Sequence, residues 1–173
     1  MKVADVTAKW LKTIDFKVVS TFNGATIEGV RFRKLSPIVD GRGDLVELWS
    51  EPWEGFERPK HVYQSATDYG VVKGWHLHAT HSDQMTVTRG KVQIVAVDIR
   101  EGSKTFGHVN SFILSTANQG LLRIEPGILH GWKALSSPEI RVVNIQTEVY
   151  DAADEFKFPW DTVLENVWEP KNG

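Results

Sequence analysis

The sequence predicts an all-β fold, a sandwich or a jelly-roll barrel rather than a parallel sheet with crossover helices. Three observations carry that expectation. After Asn23-Gly24, short segments rich in β-branched and aromatic residues alternate with Gly, Pro, Asp and Asn punctuation, giving about ten candidate strands. Several segments, such as Gln93 to Asp98 and Arg141 to Ile145, alternate along the chain in the way that suits one buried and one wetter face. Arg89-Gly90-Lys91 sits between two such runs as a hairpin turn.

Taken in order, residues 1–20 place Val6, Trp10, Leu11 and Ile14 three or four apart, which predicts a short helix or an arm. Asn23-Gly24 suits a tight turn. The expected strands are then Ile27 to Leu35, Leu45 to Trp49, His61 to Ala66, Val71 to His78, Gln84 to Thr88, Val92 to Asp98, Val109 to Leu114, Leu121 to Ile124, His130 to Leu135 and Ile140 to Val149. From Tyr150 onward the chain turns acidic and carries Trp160 and Trp168 with Pro159 and Pro170, a tail expected to pack over the barrel by its indoles. The acidic run from Glu148 to Glu155 reads as a solvated turn. No repeat, linker or low-complexity block appears, so the reading is a single domain over 1–173, with an arm at 1–24, a barrel core at about 27–150 and a tail at 151–173.

Composition narrows the function. The 173 residues are 41% hydrophobic and 24% charged, an ordinary soluble composition. Twenty basic against 22 acidic residues leave no cationic excess for a phosphate backbone, so nucleic acid is excluded as an expected partner. The absence of cysteine removes disulfides, thiol catalysis and thiolate metal sites together, and any metal must rest on nitrogen and oxygen. No stretch approaches the roughly 18 apolar residues of a membrane span, and the start, MKVADVTAKWLKTIDFKVV, lacks a secretory pattern. A cytoplasmic protein without membrane partners is expected.

Three of the six histidines, His76, His78 and His81, fall in GWHLHATHSDQ. On a strand, residues two apart share a face, so His76 and His78 project into one space. Asp83 and Gln84 follow, and His130 comes after a Pro-Gly turn in IEPGILHGW. Imidazoles and an oxygen ligand in this pattern suit a hard or borderline divalent ion. His61, His81 and His108 are expected to be hydrogen-bonded packing residues.

The spacing from Gly70 through His76, His78 and Asp83 to Gly90 resembles the first cupin motif with Asp in place of its usual Glu, and Gly120 to His130 resembles the second. Cupins are small jelly-roll barrels. Within them DGRGDLVELW, VYQSATDYGVVKGWH, TRGKVQIVAVDIREGSKTFG, SFILSTANQGLLRIEPGILHGW and TEVYDAADE resemble the dTDP-4-dehydrorhamnose 3,5-epimerases over roughly Leu35 to Trp168. That resemblance implies a metal-free homodimer that inverts carbons beside the ketone of a nucleotide-linked 4-keto-6-deoxyhexose. By position it makes His76 the catalytic base and His130 the second active-site histidine. It assigns substrate contacts to Gln64, to Lys73 in place of a diphosphate-gripping arginine, and to Arg42 and Glu47 near the nucleotide.

The departures fall in the catalytic machinery. The family's enolate-holding lysine matches Asp83, and its tyrosine acid matches Asn144, whose amide has no proton to give. The aspartate that orients the base is expected to be missing, since the sequence ends at WEPKNG. His78 stands where the epimerases carry glutamine. A second reading is therefore a metal-dependent cupin acting on another small molecule, with Zn, Mn, Fe, Ni or Co held by His76, His78, Asp83 or Gln84, and His130. A third is a noncatalytic sugar-nucleotide-binding cupin. Trp75, Trp132 and Trp49 are candidates to stack on a ring, Tyr63 and Tyr150 to replace the acid, and Arg33, Arg123 and Arg141 to meet a diphosphate; core packing or a solvated edge is the plainer alternative for each.

Overall fold

The computed structural model describes residues 2–20 and 26–169. The expected turn at Asn23-Gly24, and Pro170, lie outside the described residues. The strands are β1 (Lys17–Ser20), β2 (Val30–Lys34), β3 (Ile38–Asp40), β4 (Gly43–Leu45), β5 (His61–Asp68), β6 (Val72–Leu77), β7 (Asp83–Arg89), β8 (Lys91–Asp98), β9 (His108–Ser115), β10 (Gly120–Ile124), β11 (Ile128–Ala134), β12 (Glu139–Gln146) and β13 (Phe156–Lys157). Among the described residues helix is confined to α1 (Ala8–Leu11) and single 3-10 turns at Val3–Asp5, Ala152–Asp154 and Glu165–Trp168. Thr7 caps α1 by accepting from the Trp10 amide at 3.2 Å.

Two sheets face each other as a jelly roll. One has the order β1-β9-β8-β11-β6-β13 and the other β2-β10-β7-β12-β5, while β3 and β4 form a separate hairpin. Side-chain alternation then sorts each strand. On β8, Ile94 and Ala96 point inward with Met85, Val87, Phe112, Leu122 and Trp132. Val95 and Val97 point outward, where they are covered by Leu11 from the arm and Val163, Val167 and Trp168 from the tail. The expectation of one wetter face on Gln93 to Asp98 is thus corrected: both faces are dry, because the two ends of the chain lie on the outside of the six-stranded sheet. Trp168 packs against Trp75 with ring centroids 5.1 Å apart, whereas Trp160 contributes its carbonyl to the Trp75 indole N–H and leaves its own ring half exposed.

Leu45–Trp49 is not a strand. Leu45 ends β4, and Leu48 and Trp49 belong to a loop that packs with Trp53 and Phe56 over Leu35, Leu121 and Ile145 on the outside of the five-stranded sheet. Apolar residues that cover a sheet read locally like residues within one.

Two glycines decide how closely β6 and β11 approach. At Gly131 a Cβ would lie 2.8 Å from the Gly74 Cα and 2.9 Å from the Lys73 carbonyl oxygen, both backbone atoms that cannot swing away. The ladder is irregular between His130 and Trp132 at this point, and it pairs His130 directly with His76. Gly131→Ala is expected to cost about 1–3 kcal/mol by overpacking. Urea melts check this, and an unchanged midpoint would mean that the strands spread freely.

Candidate active site

The inner face of β6 carries Lys73 and His76, with His78 just beyond its end, and β11 adds His130 and Trp132. The opposing sheet presents His61, Tyr63 and Ser65 from β5, Asp83 from β7, and Asn144 and Gln146 from β12. Together with Tyr150, Glu155 and Lys157 they line a pocket of about 430 Å³ between the sheets.

The deepest feature centres on Asp83, which is 2% exposed. Its Oδ1 accepts from the Asn144 amide at 2.7 Å and the Gln146 amide at 2.9 Å. Its Oδ2 faces His130 Nε2 at 2.9 Å and His78 Nε2 at 3.4 Å. The other nitrogen of each ring faces a backbone carbonyl, which can only accept: His130 Nδ1 meets Ile128 O at 3.1 Å and His78 Nδ1 meets Asp154 O at 2.9 Å. Both Nδ1 atoms therefore carry hydrogen, and both Nε2 atoms converge on one carboxylate oxygen.

The surrounding charges follow from this arrangement. Burial pushes Asp83 up, but the hydrogen bonds from His130 and His78 outweigh it and hold the carboxyl well below the usual range. Burial likewise pulls His78 down, and its bond to Asp83 more than reverses this, leaving the imidazole raised. His81 is lowered by burial and by the neighbouring His78. It donates from Nδ1 to Asp154 at 2.9 Å and accepts at Nε2 from Gln146 at 3.0 Å.

His76 is different. Among the described residues neither of its ring nitrogens has a hydrogen-bond partner, and its ring lies against Trp132 at 5.7 Å with a 9° tilt and against His130 at 6.1 Å. Burial, then the charge of His130, pushes it down to about 4, so at neutral pH it is an uncharged imidazole open to the pocket. The Trp132 indole donates to Thr67 at 3.1 Å, which fixes the ring behind it. Lys73 donates to Ser65 Oγ at 2.8 Å and Ala66 O at 2.9 Å. Tyr63 is the direct cross-strand partner of Asn144, and its hydroxyl accepts from the Asn144 amide at 3.0 Å. Burial is the main reason that this phenol is pushed up to about 12.

The pocket thus gathers His76, His130, Lys73, Trp132, Asn144, His78, Asp83, Tyr63 and Tyr150 from the residues singled out in the sequence. Others fall elsewhere. Gln64 points away from the pocket, because on β5 the odd-numbered residues face inward. Arg42 is exposed at the β3–β4 hairpin, pairing with Asp40, and Glu47 is exposed in the loop that follows. Gln84 is not a ligand: it faces away from Asp83 and its amide is bound to Glu57 N, Glu57 O and Ile145 O. His76 stands apart from the cluster of ligand atoms formed by His78, Asp83 and His130. Trp75 is core, Trp49 donates to Glu57 O, and Arg33, Arg123 and Arg141 engage Trp53, Glu57 and Glu139 outside the pocket.

Five residues that line the pocket were not expected there: His61, read as a packing residue, and Ser65, Gln146, Glu155 and Lys157. Behind the pocket, His81 is buried and hydrogen-bonded as expected, whereas Asp154, read as part of a solvated turn, is 5% exposed and binds Ala79, Thr80 and His81. No short-range signal reveals Asp154, since its partners lie more than 70 residues earlier in the chain.

A family model described as dTDP-4-dehydrorhamnose 3,5-epimerase matches residues 24–171. The chain belongs to this epimerase family. It is 34% identical over 139 residues to a Haloferax volcanii protein described as "Probable low-salt glycan biosynthesis epimerase", covering 78% of this chain and 89% of the relative. It is 32% identical over 137 residues to the spore coat polysaccharide biosynthesis protein SpsL of Bacillus subtilis, covering 78% and 91% of the two chains. Among solved structures, a dTDP sugar isomerase from Desulfovibrio desulfuricans superposes with a TM-score of 0.75 at 25% identity, covering 78% of this chain and 87% of the other. The 4-keto-6-deoxy sugar epimerase NovW of Streptomyces spheroides gives 0.71 at 27% identity, covering 78% and 71%. This family places the chain among the isomerases and accounts for the jelly roll. Among the described residues no helix is long and apolar enough to cross a membrane.

Proposed function

We propose that this epimerase isomerises a nucleotide-linked 4-keto-6-deoxyhexose by moving a proton on the carbon beside the ketone, with His76 as the base and Tyr63 as the acid. The observation that carries this reading is the position of His76: an uncharged imidazole, free of other hydrogen bonds among the described residues, on one wall of the pocket. Such a nitrogen can take a proton from carbon and hold it. Inversion requires a donor on the opposite face of the sugar, and Tyr63 stands on the other sheet. Asn144 cannot supply that proton, but it holds the Tyr63 hydroxyl beside it. A phenol pushed up to about 12 keeps its proton until the enolate takes it.

Lys73 and Trp132 line the pocket next to His76, a cation for phosphate and an aromatic face for a ring. The names of the relatives, which refer to glycan and polysaccharide biosynthesis and to dTDP sugars, support a sugar nucleotide as substrate. The reading includes a cytoplasmic setting and a homodimer, in which a second copy covers the exposed Ile38, Val39 and Leu45 of the β3–β4 hairpin and brings Arg42 and Glu47 toward an interface.

Incubation of 4-keto sugar nucleotides with the enzyme in deuterium oxide tests the reading by NMR. Deuterium should enter at a carbon beside the ketone. Tyr63→Phe should retain that exchange, since His76 can return a proton to the face it came from, while inversion falls by about 100-fold or more. Loss of exchange and inversion to the same extent in this variant would remove Tyr63 from the acid role.

A further inference from the structure

We propose that Lys157 is a further catalytic residue, the cation that holds the ketone oxygen of the sugar while His76 takes the proton beside it, with Glu155 as its positioning residue. The inference rests on the proton-transfer reading and names a group which that reading requires and leaves unassigned. Removal of a proton next to a ketone moves the C–H electron pair toward the carbonyl oxygen, and that oxygen needs a donor or a cation as its charge grows. The pair returns to carbon when Tyr63 delivers its proton, so no electron is gained or lost.

The strand pairing puts Lys157 where such a cation belongs. β13 closes one edge of the six-stranded sheet beside β6, and Lys157 is the direct antiparallel partner of His76. Backbone bonds between Trp75 and Phe158, at 2.7 and 2.9 Å, fix that register. Direct partners send their side chains to the same face from Cβ atoms about 4.5–5.5 Å apart. Alternation turns Phe156 out to the apolar cover of the sheet, and turns Glu155 and Lys157 into the pocket. The carbon that loses the proton and the oxygen that gains charge belong to one C–C=O unit. Base and cation must therefore be neighbours, as His76 and Lys157 are.

The other polar groups of the pocket are committed. Asp83 is a carboxylate and engages both His78 and His130. Lys73 is held against β5 by Ser65 and the Ala66 carbonyl. Among the described residues Lys157 Nζ meets only Glu155 Oε2, at 2.6 Å. An ammonium has three hydrogens, so two remain for a ligand, and a side chain that is 58% exposed is within reach of one. The two charges of this ion pair also match those that proton transfer creates, positive on His76 and negative on the sugar oxygen. After burial and the charge of His130, Glu155 favours the protonated His76 ring and Lys157 opposes it, so both charges are felt at the base. Held in advance by Glu155, the ammonium meets the growing charge with little rearrangement.

Deuterium exchange into a 4-keto sugar nucleotide, followed with full-length enzyme, tests the assignment. Lys157→Gln should lower kcat for exchange by about 100-fold, the size of effect seen when one group that holds an oxyanion is lost, with KM nearly unchanged. Lys157→Arg, which keeps the charge, should stay within about tenfold of the wild type. Glu155→Gln should cost about tenfold in the wild-type background and nothing more in Lys157→Gln, a non-additivity that a merely structural carboxylate would not show. Urea midpoints identify the variants as folded, and the backbone bonds that hold β13 are untouched by any of them. Wild-type exchange that Lys157→Gln leaves unchanged overturns the assignment and leaves the proton-transfer reading standing. A rise in KM and in the Kd for dTDP at constant kcat also overturns it, and makes Lys157 a phosphate ligand. No exchange by the wild type on any 4-keto sugar nucleotide overturns the proton-transfer reading itself, and the role of Lys157 with it.

Discussion

His76→Asn is expected to lower kcat/KM for both deuterium exchange and epimerisation by about 1,000-fold, the middle of the range for removing a positioned proton-transfer group. None of the buried histidines beside it can take over. His130 and His78 already face Asp83, and His81 is bound at both nitrogens, so none has a free lone pair aimed into the open pocket. Asparagine fills similar space without a basic nitrogen, and His76 makes no hydrogen bond among the described residues that its loss would orphan. The folded state should therefore survive, with loss of the ring contacts to Trp132 and His130 as its cost.

The pH dependence sharpens this prediction. A base must be unprotonated to act, and burial together with the nearby His130 pushes His76 down to about 4. The acid limb of kcat/KM should therefore fall near pH 4, well below the 6.5 of an unperturbed imidazole. An acid limb at 6.5 that persists in His76→Asn would assign the titrating base to another group. Retained exchange in the same variant would remove His76 from the chemistry altogether.

The histidines were legible because strand periodicity is local. His76 and His78 sit two apart in a run that reads as a strand, although β6 ends at Leu77, and the register pairs His76 with His130. The same rule misleads when its phase is unknown. Gln64 and Gln84 each lie one residue from a side chain that faces the pocket, Tyr63 and Asp83, and so point to the opposite side of their sheets. Which phase faces inward depends on what covers the outer surface. That cover comes from the 46–56 loop on one sheet and from both chain ends on the other, contacts that no local pattern records. Tyr63 was readable as a tyrosine that could act, but its placement beside Asn144 follows from pairing β5 with β12, about 80 residues apart.

Asp154→Ala is expected to destabilise the protein by about 3 kcal/mol at pH 7, since charge-assisted hydrogen bonds lost from a buried carboxylate leave their donors unpaired. Four contacts go at once: the Ala79 amide at 2.6 Å, the Thr80 amide at 3.2 Å and hydroxyl at 2.7 Å, and His81 Nδ1 at 2.9 Å. Burial raises Asp154, but these bonds outweigh it and its folded value lies below the ordinary 3.8. A depressed carboxylate contributes stability that is fully present above the unfolded value and is lost as pH falls through the folded one. The difference in urea midpoint between wild type and Asp154→Ala should therefore stay constant from pH 7 to pH 5 and shrink below about pH 4. Comparing the two proteins matters, because Asp83 and Asp98 are depressed too and weaken both in acid. A midpoint difference that persists undiminished at pH 3 would show that the charge of Asp154 is not what holds the 79–81 turn. The consequence reaches the site through the backbone, since the carbonyl of this same residue orients His78 toward Asp83. Loosening the 152–154 turn should therefore also shift His78 against Asp83, although Asp154 itself does not line the pocket.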